Sequence, residues 1–183
     1  MRFEVEQKFP AADLAALEAR LSALGAAVSG RQAEVDLYFA HPARDFAKTD
    51  EALRIRRKGD RHYLTYKGPK IDATTKTRRE IELPLEGGEE MAAAWTSLLR
   101  ALGFTPVAEV HKLRRKAHVS WQGRRIEVSL DEVERIGTFI ELELVVEEGD
   151  LESAKACVAS LADALDLSGG ERRSYLELLL ERA

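Results

Sequence analysis

The chain is poor in the residues that support covalent and redox chemistry. Cys157 is its single cysteine, so an intrachain disulfide is excluded and a reducing compartment is expected. Cys157 falls in a helical stretch and reads as core rather than nucleophile. The four histidines, His41, His62, His111 and His118, are scattered, and no serine, cysteine or histidine constellation supports a covalent route. No run of about 18 apolar residues occurs, so no membrane span is expected. The opening residues are charged and lack an apolar h-region, which argues against a signal peptide. A cytoplasmic location is therefore expected. An excess of basic charge is also missing. The 28 basic residues face 32 acidic ones, for a net charge of −4, and nothing in that balance suggests a nucleic-acid binder.

What is abundant is charge, and its placement matters more than its sum. Charged residues make up 33% of the 183, above the roughly 25% of an average chain. The length suits one domain, 1–183. The first ten residues set the pattern. Phe3, Val5, Gln7 and Phe9 alternate with Glu4, Glu6 and Lys8, so a strand would put the three ionic side chains on one face. Two readings fit this segment. One is a half-exposed strand with a solvated face of mixed charge. The other is a metal site beside an anion site, because two carboxylates this close repel unless a cation or proton lies between them.

The same alternation recurs along the chain. Strands are expected at 32–39, 52–58, 61–67, 76–83, 107–121, 124–131 and 139–146, about eight with the first. Gly59-Asp60 and Gln122-Gly123 make turns, Pro84 ends a strand, Gly137 breaks the chain, and 41–50 and 71–75 are loops. The stretch 107–121 is long enough to be bent or bulged. Helices are expected at 10–24, 89–102 and 151–165, with a short one after Ser174. Pro10 would open the first. Met91, Trp95, Leu98, Leu99 and Leu102 would form the apolar side of the second. A faint internal echo also stands out: Glu4-Val5-Glu6 and Glu80-Ile81-Glu82 each lead into a helix ending in Leu-Gly.

Helices with apolar stripes pack best on the apolar face of the sheet, which leaves the charged face on the other side. A sheet of eight strands tends to curl or close, and closing with helices outside puts the charges within. The bases there would be Lys8, Arg54, Arg56, Lys58, Lys67, Lys76, Arg78, Lys112, Arg114 and Lys116. The acids would be Glu4, Glu6, Glu80, Glu82, Glu127, Asp131, Glu141 and Glu143. They sort by strand: 52–58 is basic inward, 139–146 acidic inward. Acid pairs suit Mg²⁺ or Mn²⁺, and rows of Arg and Lys suit phosphate oxygens. An ordinary solvated face explains the alternation equally well, though not the sorting.

The ordered set Glu4-x-Glu6-x-Lys8, Asp36-Leu37-Tyr38-Phe39, Arg54-Ile55-Arg56, Lys67-Gly68-Pro69, Arg78-x-Glu80, Lys112-x-Arg114, Leu130-Asp131, Glu141-x-Glu143 and Arg173-Ser174-Tyr175 resembles the CYTH superfamily, the triphosphate tunnel metalloenzymes. Its likeness is greatest to the class IV adenylyl cyclase branch, with thiamine triphosphatase as a relative. The resemblance implies an α+β fold: an eight-stranded antiparallel β-barrel, the tunnel, with helices outside. It implies Mg²⁺ or Mn²⁺ held by Glu4, Glu6, Asp131, Glu141 and Glu143. It implies a triphosphate held by Lys8, Arg54, Arg56, Lys67, Arg78, Lys112 and Arg114, with Glu4, Glu6 and Lys8 at the chemistry. Glu80 matches an acid of structural or metal-related role. The substrate would be ATP, thiamine triphosphate or tripolyphosphate. The reaction would be ATP cyclisation to cyclic AMP and pyrophosphate, or hydrolysis of the terminal phosphate. A non-catalytic polyphosphate or nucleotide sensor is the alternative from another class. No nucleic-acid or membrane partner is implied, and a homodimer is left open.

Overall fold

The alternation along the first strand decides where its two faces go. In the computed structural model, which describes residues 2–71 and 75–182, Phe3, Val5 and Phe9 are buried in apolar surroundings while Glu4, Glu6 and Lys8 turn inward. The same logic holds for each strand in turn: β1 (Arg2–Pro10), β2 (Gln32–Ala40), β3 (Ala52–Lys58), β4 (Arg61–Lys67), β5 (Arg78–Leu85), β6 (Thr105–Trp121), β7 (Arg124–Val133) and β8 (Gly137–Glu147). They close into an antiparallel barrel in the order β1-β5-β4-β3-β2-β6-β7-β8. Two meanders, β2-β3-β4 and β6-β7-β8, are joined along β2 and β6. The other join is narrow. β1 meets β5 only at Phe3–Arg79 and Glu4–Arg78, and the Lys76 N–H then reaches the Glu6 carbonyl at 2.9 Å.

The helices lie outside, as the apolar stripes require. They are α1 (Leu14–Ala23), α2 (Phe46–Thr49), α3 (Gly88–Ala101), α4 (Leu151–Ala164) and α5 (Tyr175–Leu180). The larger core joins α1 and α4 to the outer faces of β1 and β6–β8, through Leu21, Val158 and Leu161 against Val5, Ile126, Leu142 and Ile140. A second core packs Ala92, Trp95 and Leu99 of α3 on Leu53, Ile55 and Leu85. A third lies over one barrel end. There Tyr175, Leu178 and Leu179 of α5 pack on Val110, Val133 and Phe139. A capping box holds the start of α5, the Glu177 N–H donating to the Ser174 hydroxyl at 3.1 Å and the Ser174 N–H to the Glu177 carboxylate at 2.6 Å.

The barrel with outer helices is as expected, and several local details differ. Pro10 closes β1; α1 starts at Leu14 because Asp13 caps it, accepting from the Ala16 N–H at 2.9 Å. Pro84 lies within β5, opposite Tyr63. There β5 has β4 on one side and no β1 on the other, so a missing N–H is tolerated. Gly137 opens β8 rather than breaking the chain, with φ 130° that other residues rarely adopt. The expected loop 41–50 contains α2. Met91, Leu98 and Leu102 are exposed, because α3 rests on the sheet through Ala92, Trp95 and Leu99 instead. Strand β6 does carry an irregularity, where the register against β2 shifts between Tyr38 and Phe39. Met1 and most of the loop expected at 71–75 fall outside the described residues.

The packing gives a direct expectation. Leu142 is fully buried in the larger core, so Leu142→Ala should lower stability by about 2–5 kcal/mol. Val145, three residues on and exposed, should tolerate alanine within about 0.5 kcal/mol. Chemical denaturation of the two variants tests this.

Candidate active site

The inward side chains enclose a cavity of about 310 Å³. Register builds its walls, because residues paired across neighbouring strands face the same way. Every site residue expected from the sequence lines it except Lys8 and Asp131. The charges are arranged in three groups.

The first group is built on β2, β3 and β6. Asp36 is wholly buried and gathers three cations. It accepts from Arg56 Nε at 2.6 Å and from the second Arg56 nitrogen at 2.8 Å. Arg54 reaches it at 3.3 Å and Lys112 Nζ at 3.1 Å. Glu34, two residues back on the same face, lies 3.3 Å from Lys112 and 3.7 Å from Lys58. Burial pushes the Glu34 carboxyl up, but Lys112, Arg56 and Arg114 outweigh it and hold the group at about 2. Asp36 is likewise held well below its ordinary range, Arg54 and Arg56 overcoming its burial. Burial, then Arg56, lowers Lys112 to about 8. These acids keep the guanidinium planes fixed while leaving them on the cavity wall.

The second group is Arg114 on β6. It grips Asp131 on β7 through two parallel bonds of 2.7 and 2.5 Å and bonds Glu141 on β8 at 2.5 Å. The Tyr175 hydroxyl donates to the same Asp131 carboxylate at 2.7 Å. Asp131 is wholly buried behind Arg114. In this structure it positions an arginine and is not one of the three carboxylates that converge in the third group. Glu141 also leans on Arg114, with Lys76 4.0 Å away. Burial pushes Glu141 up, and Arg114, Lys76 and Lys8 carry it well below its ordinary value.

The third group is acidic. Glu6 and Glu143 stand directly opposite on β1 and β8, a pairing that is destabilising for like charges. With Glu4 they place carboxylate oxygens within 4.8 Å of one another. Burial first, then Glu4, raises the Glu143 pKa well above its ordinary value, and burial raises Glu4. Hard oxygen donors converging under mutual repulsion fit Mg²⁺ or Mn²⁺. Two ammonium groups share this cluster. Lys67 Nζ lies 2.7 Å from both Glu4 and Glu80 and 3.9 Å from Glu6. Lys76 Nζ bonds Glu6.

Lys8 shares the face of Glu4 and Glu6 but is almost fully buried. Its ammonium donates to the Arg173 carbonyl and lies 4.2 Å from the Tyr175 ring centre and 5.4 Å from that of Phe139. Its own carbonyl accepts from the Glu171 N–H at 2.7 Å. Burial, then Lys76, lowers its pKa to about 7. In this structure Lys8 meets the segment preceding α5 and does not line the cavity. Arg78 lines the cavity from the seam, its guanidinium 3.4 Å from the Asp50 and Gly68 carbonyls.

Sequence reasoning missed Asp36 and Glu34 as organisers, although both alternate correctly on β2. It counted Lys76 among inward bases but gave it no role. Tyr175 was part of a quoted ending and carried no assignment.

The class these elements define is a closed antiparallel barrel whose interior is lined by basic and acidic side chains. The family within that class is clear: a CYTH domain matches residues 2–175, and the chain belongs to that family. Members of the family are adenylyl cyclase-like proteins or triphosphatases. A Methanocaldococcus jannaschii protein named "Putative adenylate cyclase MJ0240" is 36% identical over 178 residues, covering 96% of this chain and 97% of its own. The solved structure of PH1819 from Pyrococcus horikoshii is 41% identical, with a TM-score of 0.85 over 98% of this chain and 99% of its own. HpAC1 from Hippeastrum, an adenylyl cyclase by name described as having dominant triphosphatase activity, shares the fold at 18% identity and a TM-score of 0.61. That match covers all of this chain and 97% of its own.

The ion pairs fix a pH response. Glu34 titrates ordinarily near 4.5 and is held at about 2 in the fold. A carboxyl depressed in this way stabilises the fold above its unfolded pKa, and that contribution is lost as pH falls toward 2. Thermal unfolding between pH 5 and 2 should show a steep loss, shallower in Glu34→Gln. Asp36→Ala, which strands three buried cations, should cost about 3–5 kcal/mol at pH 7.

Proposed function

We propose that the chain is a divalent-cation-dependent enzyme that cleaves a triphosphate held in the barrel. The observation that carries this is the meeting of the two sets in one cavity. Arg54, Arg56 and Lys112 line one part of the wall, Glu4, Glu6 and Glu143 converge on another, and Arg114 lies next to the acids, 4.0 Å from Glu143. A polyphosphate chain with a bound cation is the ligand that would use both at once.

Glu4, Glu6 and Glu143 would hold Mg²⁺ or Mn²⁺. Bound there, the ion would neutralise and polarise phosphate oxygens. Arg54 and Arg56 would bind non-bridging oxygens through paired N–H groups already aimed by Asp36. Their charge would oppose the negative charge that grows on the departing phosphates. Arg114 would do the same beside the acid cluster, its plane held by Asp131 and Tyr175. The burial of Arg54 and Arg114 strengthens each of these contacts.

In the first reading the substrate is ATP. The ribose 3′-oxygen bonds to the α-phosphorus, the bond to the β-bridging oxygen breaks, and cyclic AMP and pyrophosphate form. The name of the Methanocaldococcus jannaschii relative supports this. In the second reading a water oxygen bonds to the terminal phosphorus of tripolyphosphate or of an organic triphosphate, the bond from that phosphorus to the bridging oxygen breaks, and orthophosphate, the diphosphate and a proton leave. The cavity lining supports this one. Among the described lining residues the only rings are Tyr38 and Tyr175, and their hydroxyls are engaged by Arg54 and Asp131. Phe39, another candidate for stacking a base, lies in the outer core, and His41 packs against Phe46 and Phe104 outside the barrel.

The purified protein should be incubated with ATP, thiamine triphosphate and tripolyphosphate, each with Mg²⁺ or Mn²⁺. Cyclic AMP would establish the first reading, and orthophosphate without it the second. Binding without turnover under every metal would leave a sensor. Glu143→Gln and Glu6→Gln should lower metal-dependent turnover by about 100-fold or more with the fold retained by circular dichroism. Arg56→Ala should act mainly on KM. Full metal-dependent activity in Glu6→Gln would overturn the assignment of that face.

A further inference from the structure

Lys76 belongs to no strand. It follows the residues at 72–74 and is held by its backbone, whose N–H donates to the Glu6 carbonyl at 2.9 Å. Its side chain turns back into the cavity, onto the carboxylate of the same residue, with Glu141 4.0 Å away. Lys67 does the equivalent from β4 on Glu4 and Glu80. So two of the three carboxylates that converge for a cation each carry an ammonium already.

The charges explain why both cannot stay. Glu4, Glu6 and Glu143 offer three carboxylates, and Lys67 and Lys76 already set two positive charges among them. A divalent ion among the same oxygens would stand within a few ångströms of both ammonium groups inside a wall that screens little. Either the ion is repelled or an ammonium leaves. Lysine is suited to leave, having a flexible stem and a point charge that needs no fixed plane. Arg54, Arg56 and Lys112 line the same cavity, and a phosphate chain lying against them gives the displaced ammonium a new partner.

From this we infer that Lys76, seconded by Lys67, is an internal cation that occupies the metal site until metal and triphosphate arrive together. The inference rests on the triphosphate reading above and deepens it. Lys76 is then a positioning residue that couples the two ligands. It weakens metal binding when no phosphate is present and adds to phosphate binding once metal is in place. Reciprocity follows, since any factor by which triphosphate raises metal affinity is the factor by which metal raises triphosphate affinity.

The test is Mn²⁺ binding followed by electron paramagnetic resonance, with and without tripolyphosphate, in the wild-type chain and in Lys76→Met. With Mn²⁺ alone, Lys76→Met should bind about tenfold more tightly than wild type. The gain in Mn²⁺ affinity on adding tripolyphosphate should be smaller in the variant. Equal or weaker Mn²⁺ binding by folded Lys76→Met would overturn the inference and leave the triphosphate reading intact. Failure of wild type to bind Mn²⁺ with or without tripolyphosphate would overturn both. Should the variant not fold, the wild-type chain carrying ¹³C,¹⁵N-lysine gives the second measurement. Saturating Mg²⁺ with tripolyphosphate should shift two lysine side-chain signals strongly. Unmoved lysine signals alongside demonstrated Mg²⁺ binding would overturn the inference.

Discussion

Taking an ionised side chain out of water costs several kcal/mol unless a partner of opposite sign meets it at good geometry. That constraint governs this barrel more than any other. Lys8, Glu34, Asp36, Arg54, Lys112, Arg114, Asp131 and Glu141 are all buried, and each has an opposite charge or a ring and carbonyl set against it. The partners come from neighbouring strands, so the barrel must close in one register. A one-residue slip would send every ionic side chain outward and every apolar one in. The interior charges thus specify the fold as firmly as the outer cores do, while contributing less net stability.

The cores supply what the ion pairs do not. Leu21, Val158 and Leu161 press on the outside of β1, β7 and β8, which are the strands that bring Glu6, Asp131, Glu141 and Glu143 together. Across the barrel, α3 braces β3, β4 and β5, which carry Arg54, Arg56 and Lys67. Each wall of the cavity is therefore held from behind by a helix. The exception is the seam between β1 and β5, two residue pairs long. It is there that Lys76 enters on a segment outside the strands.

Much of this was legible in the sequence because period-two alternation states which side chains share a face. It gave the eight strands, the inward charges and the outer helices. It could not say which inward groups would meet, since partners are set by register between strands far apart in the chain. Asp131 and Glu143 look alike on paper, yet register puts Asp131 beside Arg114 and Glu143 beside Glu6. Lys8 looks like its neighbours Glu4 and Glu6, yet the fold of the last residues covers it with Tyr175 and Phe139. Asp36 stood in a motif without a role, because an inward acid does not reveal its partners until its three cations are placed around it. Pro84 and Gly137 misled for the same reason: punctuation residues break a strand only where the ladder needs what they lack.

The echo between Glu4-Val5-Glu6 and Glu80-Ile81-Glu82 has a counterpart in the topology. Exchanging β1–β4 with β5–β8 maps the strand order onto itself read in reverse, and in each half the first strand leads into a helix. The inward charges do not repeat; they invert. β2 presents Glu34 and Asp36 where β6 presents Lys112 and Arg114. β3 presents Arg54 and Arg56 where β7 presents Glu127 and Asp131. β4 presents Lys67 where β8 presents Glu141 and Glu143. Strict repetition would have set like charges against like in a closed space. Inversion lets β2 and β6, which are hydrogen-bonded neighbours, neutralise each other directly. Only β1 and β5 do not invert: each presents a pair of acids with one base, Glu4 and Glu6 with Lys8, and Glu80 and Glu82 with Arg78. That shared excess of acid leaves this part of the interior short of positive charge. Lys67 must reach in from β4 and Lys76 from outside the sheet to supply it, and a bound cation would relieve the same deficit. The convergence of Glu4, Glu6 and Glu143, on which the proposed metal site rests, is thus a consequence of where the inversion stops.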